Sequence, residues 1–369
     1  MAFFADSTDV EPRRRRGGGW FGWGLVAAAI VAITVIALLP SPYVVEKPGP
    51  VYDTLGTTQV DNEDVPLIDI PIEKTYPTDG SLDMLTVTIS GSRERPLSWL
   101  DAAIAWLTPS QAVVDVDTIY PEGVSVEESN QEGAEEMVNS QKDAIAAALH
   151  NLGYEFASSL TVNQVAAGSP AVGVLEEGDI VTAFNGSPVA DVAALKAAIA
   201  ANGAGVAGTV SVTRGSAPLE LKVTPVIPEG GTDPVIGVVL SSDYVFPIDV
   251  SIQLDNVGGP SAGQMFALGI IDKLTPGALT GGKDIAGTGT ITGTGVIGPI
   301  GGIRQKMYGA RDAGADYFLA PDSNCDEVTG HIPNGLTVFS VETLDDSLAV
   351  MTALQAGTDT SKLPTCPAG

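Results

Sequence analysis

Apolar and polar positions change rhythm several times along the chain, and each rhythm predicts a different element. From Trp20 to Leu39 twenty residues pass without a charge. At ~1.5 Å rise per residue such a helix crosses the ~30 Å hydrocarbon core of a bilayer, so a transmembrane helix is expected over 20–39. A cleaved signal peptide would have a shorter apolar run and a small-residue cleavage site, where Leu39, Pro40, Ser41, Pro42 and Tyr43 stand instead. Pro40, Pro42, Pro48 and Pro50 then predict an extended juxtamembrane segment. Leu85, Val87 and Ile89 alternate with Thr86, Thr88 and Ser90 in the period of a half-buried strand. A helix is expected over about 97–107. A longer one is expected over 126–151, opened by Ser125 as cap with Glu128 three residues on, and stopped by Gly153.

Residues 152–226 read as a separate β-rich unit. Short runs (Leu160 to Val165, Ile180 to Phe184, Thr209 to Thr213, Leu219 to Val223) surround one helical run, Val192 to Ala201, with Asn185-Gly186 and Arg214-Gly215 as turns. From Val235 to Asp322 glycine and small β-branched residues dominate. Within that stretch Met265, Phe266, Leu268, Gly269, Ile270, Ile271 and Leu274 predict a buried helix, with Pro260 suited to its first turn. The expected fold class is α+β.

Charge changes this picture in two ways. The chain carries 18 Lys and Arg against 45 Asp and Glu. Such an acidic body is repelled by phosphate backbones and anionic headgroups, which excludes nucleic acid as a partner. The exception is Arg13 to Arg16, just before the apolar run. By the positive-inside rule these arginines hold residues 1–19 in the cytoplasm and send 41–369 across the cell membrane. Cys325 and Cys366 fall in the exported part, where a disulfide is chemically permitted; two unpaired thiols are the alternative that sequence leaves open.

Two glycine-flanked segments carry candidate chemistry: Gly258-Gly259-Pro260-Ser261-Ala262-Gly263 and Gly301-Gly302-Ile303-Arg304-Gln305-Lys306. A serine at a helix start is ordinarily a cap, and a lysine there ordinarily a solvated charge. As a pair they can do more, because a serine hydroxyl attacks an amide once a neighbouring base removes its proton. The two histidines are unpromising bases, His150 lying in the long helix and His331 in a loop. An amine serves if desolvation lowers its pKa towards neutrality, and Ile297, Ile300, Ile303 and Met307 around Lys306 suit such a pocket. Gly277 to Asp284, GALTGGKD, is a near-match to a phosphate loop, but Asp284 replaces the Ser or Thr that would hold Mg²⁺. No cofactor is expected, and no metal, since no cluster with ligand spacing stands in the sequence.

The segments GGPSAG and IGPIGGIRQKMYGARDAGA, with AGTGTITGTG between them and YFLAPDSN after, resemble the proteolytic domain of the Lon family over about 235–355. That resemblance implies a Ser261 and Lys306 dyad, with Thr288 directing the lysine. The chain departs from many Lon enzymes in having Gly258 where an acidic residue stands three before the serine. VAAGSPAVGVLEEGDIVTAFNGSPV, Val165 to Val189, resembles the middle of a bacterial PDZ domain. In that family Leu152, Gly153 and Tyr154 would form the loop whose N–H groups hold a peptide C-terminus. Together with PYVVEKPGP, these features are similar to a membrane-anchored, PDZ-bearing Lon-like branch. It implies an ATP-independent serine endopeptidase acting on membrane or exported proteins with accessible termini or unfolded segments, and a homo-oligomer, a hexameric ring. Region 41–151 is expected to pack on the protease domain, with 356–369 as a tail. A catalytically silent, membrane-tethered PDZ scaffold or chaperone is the alternative from another class.

Overall fold

The computed structural model describes residues 19–60, 63–121, 123, 125–189, 191–228, 233–254 and 257–367. In chain order the elements that matter are α1 (Gly19–Leu38), β1 (Tyr43–Asp53), β2 (Ser81–Ser90), α2 (Trp99–Trp106), β3 (Ala112–Asp115) and α3 (Val126–Asn151). Then come β4 (Ser158–Val165), β5 (Ile180–Phe184), α4 (Val192–Asn202), β6 (Gly208–Arg214), β7 (Ala217–Val223) and β8 (Val238–Tyr244). The last are α5 (Gly263–Leu274), β9 (Asp284–Gly287), α6 (Ile303–Ala313), β10 (Tyr317–Pro321), β11 (Thr337–Val341) and α7 (Leu344–Ala356). Arg13 to Arg16 lie outside the described residues. Among the described residues no helix is long and apolar enough to cross a membrane. Several side chains of α1, that of Trp20 included, lie outside that set, while its backbone is helical throughout.

A six-stranded sheet in the order β11-β10-β9-β2-β1-β3 forms the larger unit. β2, β9, β10 and β11 run parallel, and β1 is antiparallel to both of its neighbours. Alternate residues of each strand therefore feed two cores, since side chains switch faces with period two. Leu82, Met84, Ile285, Leu319 and Phe339 pack under α3, α5 and α7. Leu85, Ala286, Phe318, Ala320 and Val338 pack under α6. Region 41–151 thus does more than rest on the expected protease domain: it supplies three of the six strands.

The second sheet runs β7-β6-β5-β4-β8, with α4 on a core of Leu160, Val162, Val181, Leu195 and Val210. Asp179 of the Gly-Asp-Ile step is fully buried and takes two hydrogen bonds from the Arg214 guanidinium, at 2.7 and 2.8 Å. That bidentate pairing holds its carboxyl below the usual carboxylate range. β8 lies inside the range 235–355 expected for the other unit, yet pairs antiparallel with β4 from Val238 opposite Val165 to Tyr244 opposite Ser158. The smaller unit therefore runs on to Tyr244.

α3 begins as expected, with a reciprocal capping box between Ser125 and Glu128. Its apolar face joins the core of the larger unit, while its polar face reaches β8: Lys142 Nζ lies 3.2 Å from Asp243 Oδ1, and Tyr244 donates to Asp143 at 2.7 Å. At the other end of the chain Cys325 and Cys366 form a disulfide. It pins the last segment beside β11, where Ser340 N–H donates to the Pro364 carbonyl at 3.0 Å.

Candidate active site

Thr288 follows β9 directly, at the end of the parallel strands where helices from both faces begin. In sheets of this kind the crevice beyond the carboxyl ends of the strands is where ligands gather. α5 starts there from one face and α6 from the other. The sequence allows so close a meeting because glycine stands at the crowded points. A Cβ on Gly287 would lie 2.6 Å from Met265 Sδ, and one on Gly289 2.6 Å from Gln264 Oε1.

Ser261 ends the glycine-proline loop before α5, and both flanks of that loop are clamped. On one side the Gly259 N–H donates to the Gly133 carbonyl of α3 at 2.8 Å, and Ser140 Oγ donates to the Pro260 carbonyl at 2.8 Å. On the other, the Ser261 carbonyl accepts from the Gly289 N–H at 2.9 Å and from Thr288 Oγ1 at 3.0 Å. Ala262 at the α5 cap offers no side-chain bond. The N–H groups of Gln264, Met265 and Phe266 are taken by carbonyls, so the orphan donors of this helix start are those at Ser261 to Gly263.

Lys306 sits in the first turn of α6, which Gly302 opens in the left-handed region with φ of 69°. Its Nζ lies 2.7 Å from Ser261 Oγ and 2.9 Å from Thr288 Oγ1. The residue is 3% exposed, and burial pulls its pKa down to about 7. Desolvation is the cause, and among the described residues no carboxylate offsets it. In the neutral amine the lone pair accepts the Ser261 proton and an N–H donates to Thr288. Thr288 spends its own proton on the Ser261 carbonyl, so all three groups are satisfied at once.

A cleft of about 440 Å³ opens over the pair, with Tyr52, Met84, Met137 and Val257 among its apolar lining. β9 pairs with β2 only from Ser81 to Met84, so the edge of β2 from Leu85 onward borders this cleft unpaired on that side. The three residues expected to act together are therefore brought together. His150 bonds the Gly293 carbonyl and stacks on Phe156, away from Ser261.

Leu152, Gly153 and Tyr154 are placed differently from expectation. Their N–H groups donate to the carbonyls of Ala148, His150 and Leu149, closing the end of α3. Leu152 and Tyr154 pack on the core of the larger unit. The donors that an anion-binding loop would call on are here occupied by a helix C-terminus, with Gly153 at φ 82° as its terminator. Gly133, Ser140 and Gly289 were missed by sequence reasoning. Gly133, a glycine within an otherwise regular helix, was the signal that a backbone approaches closely there.

Residues 255–355 match the Lon protease (S16) C-terminal proteolytic domain, and residues 123–224 match the PDZ domain family. The Lon protease of Geobacter metallireducens is 35% identical over 118 residues, covering 30% of this chain and 14% of that protein. Lon protease 2 of Herpetosiphon aurantiacus is 38% identical over 110 residues, covering 28% and 13%. The chain thus spans about one seventh of the length of the curated relatives it matches. The crystal structure of the PDZ domain of an SdrC-like protein from Listeria monocytogenes aligns with 22% identity and a TM-score of 0.21, over 22% of this chain and 85% of that one. Alongside its PDZ unit, then, the chain carries in residues 255–355 a Lon-type (S16) proteolytic domain, homologous to that of the Lon proteases.

Proposed function

We propose that the chain is a membrane-anchored serine endopeptidase that cleaves flexible or unfolded segments of membrane or exported proteins without nucleotide. One observation carries the proposal: a buried amine, its pKa pulled down to about 7 by desolvation, 2.7 Å from a serine hydroxyl. Neutral Lys306 takes the Ser261 proton as Oγ attacks the scissile carbonyl. The orphan N–H groups at the start of α5 lie where the oxyanion forms. The ammonium then protonates the leaving amine, and the same lysine activates the water that hydrolyses the acyl-enzyme. A substrate strand added along the open edge of β2 would lay its carbonyl across this pair. A silent scaffold would have no need to bury Lys306 to 3% exposure.

Independence from ATP is what the resemblance to the PDZ-bearing Lon-like branch implies, and Asp284 in place of the Ser or Thr of a phosphate loop is in keeping with it. Membrane anchoring is supported by the uncharged run in α1, and outward orientation by Arg13 to Arg16 and by the disulfide, which persists in oxidising compartments. The test is digestion of casein by the purified chain in the absence of nucleotide. Cleavage by the wild type and none by Ser261→Ala is expected; equal cleavage by both would refute the nucleophile.

For the PDZ unit, β8 is the candidate peptide-binding edge. It is the outermost strand beside α4, and it follows Gly237, whose φ is 77°. Addition of a peptide with a free carboxylate is expected to slow amide hydrogen exchange in Val238 to Ser242. Protection at Leu152 to Tyr154 instead would return the site to the end of α3.

A further inference from the structure

All four tryptophans of the chain stand in two helices: Trp20 and Trp23 in α1, Trp99 and Trp106 in α2. α2 rests on the sheet through Ala102 and Ala105, 4% and 2% exposed. The rest of its surface is apolar and open, with Trp99 at 42%, Leu100 at 46%, Ile104 at 55%, Trp106 at 81% and Leu107 at 79%. Its one charge, Asp101, is spent on the capping box with Ser98. Scattered apolar side chains on a surface are ordinary, but a contiguous run around one helix marks a face that something covers.

What covers it follows from where α1 ends. The Trp99 N–H donates to the Leu39 carbonyl at 3.1 Å, the Ser41 N–H donates to the Leu97 carbonyl at 2.7 Å, and Pro40 bridges Ser98. The start of α2 is therefore tied by hydrogen bonds to the residues that immediately follow α1, Leu39 to Ser41. Resting on the membrane reading above, we propose that α2 is a second membrane contact: it lies in the outer interface of the bilayer and seats its apolar face among the acyl chains. A helix tied to the exit point of a span lies at the depth where acyl chains can cover such a face. Tryptophan, an amphipathic ring with one polar N–H, is the residue that settles at that depth. The two pairs then sit at opposite ends of the span, Trp20 and Trp23 on the side of Arg13 to Arg16, Trp99 and Trp106 on the other. Between Trp99 and Trp106 an apolar cleft of about 380 Å³, floored by Tyr43 and Val113, gives hydrocarbon a place to enter. The contact is apolar and not electrostatic, in keeping with a body whose net charge is −27. It would fix the protease domain close to the bilayer.

The test uses the full chain in phosphatidylcholine nanodiscs whose lipids carry bromine either near the headgroup end or near the methyl end of the acyl chains. Trp20→Phe/Trp23→Phe leaves the α2 pair as reporter, and Trp99→Phe/Trp106→Phe leaves the α1 pair; circular dichroism checks that both fold. The α2 pair is expected to lose about half its emission to headgroup-end bromine and less to methyl-end bromine, as suits rings ~5–10 Å below the headgroups. Quenching of the α1 pair without quenching of the α2 pair would overturn the proposal while sparing the span. An unquenched, blue-shifted α2 pair would assign the face to a second copy of the chain. If neither pair is quenched, the membrane reading itself fails and takes this contact with it.

Discussion

Lys306→Met is expected to lower peptide hydrolysis by about 10⁴-fold or more while raising thermal stability at neutral pH. Methionine keeps the volume of the lysine stem and removes the amine that faces Ser261, so the hydroxyl loses the acceptor for its proton. The wild-type rate should rise with pH through about 7 and level off above it, following the fraction of neutral amine. Stability moves by linkage. The folded-state pKa of Lys306 is depressed from 10.5 to about 7, so between those values the unfolded chain binds a proton that the folded chain does not. Wild-type stability therefore climbs as pH rises through that window, by about 1.4 kcal/mol per pH unit. The methionine variant lacks this term and gives up two hydrogen bonds, worth about 1 kcal/mol each. Its advantage should be greatest at pH 7 and shrink towards pH 10.5. Denaturant melts of both proteins across that range check the claim; parallel curves, or a variant that still cleaves peptide, would sink it. Ser261→Ala, equally inactive, should keep the wild-type pH slope.

Loss of the Cys325 to Cys366 disulfide is expected to cost about 4 kcal/mol and to lower the melting temperature by about 10 °C. The bond closes a loop of 41 residues, and the chain-entropy cost of releasing a loop of that length sets the magnitude. A local effect adds to it. The tail that Cys366 anchors gives the edge strand β11 its outer partners, through Pro364 and through Thr365 opposite Phe339. Freed of that cover, β11 presents an open edge to other chains. Calorimetry of Cys366→Ala, with light scattering after heating, should find both the lower transition and earlier aggregation. An unchanged transition would mean that the tail contributes nothing to the folded state.

The pairing of Ser261 with Lys306 was legible in the sequence because its signals are local: each partner sits in its own glycine-flanked segment, and both segments carry their residues in a recognisable order. Helices over 97–107 and 126–151 were legible for the same reason, since caps and apolar spacing are short-range signals. What escaped depends on contacts between distant segments. Nothing within Val238–Tyr244 reveals that β4 will take it as a partner, because a strand's own alternation does not name its neighbour. Gly153 ends a helix and could also have cradled a carboxylate. Only the destination of the three N–H groups decides between those uses, and that is a tertiary fact. Ser140 likewise reads as one more polar residue in a long helix until its hydroxyl is seen on the Pro260 carbonyl.

That helix has a mechanical consequence. From Gly133, which holds the Ser261 loop, to Asp143, which holds Tyr244, is ten residues of α3, a rod about 15 Å long. A rod of this kind does not bend to absorb a push at one end. A load that shifts β8 thus has one continuous helical path to the backbone just ahead of Ser261, and a tightening around Ser261 has the same path back to the sheet that would hold a peptide.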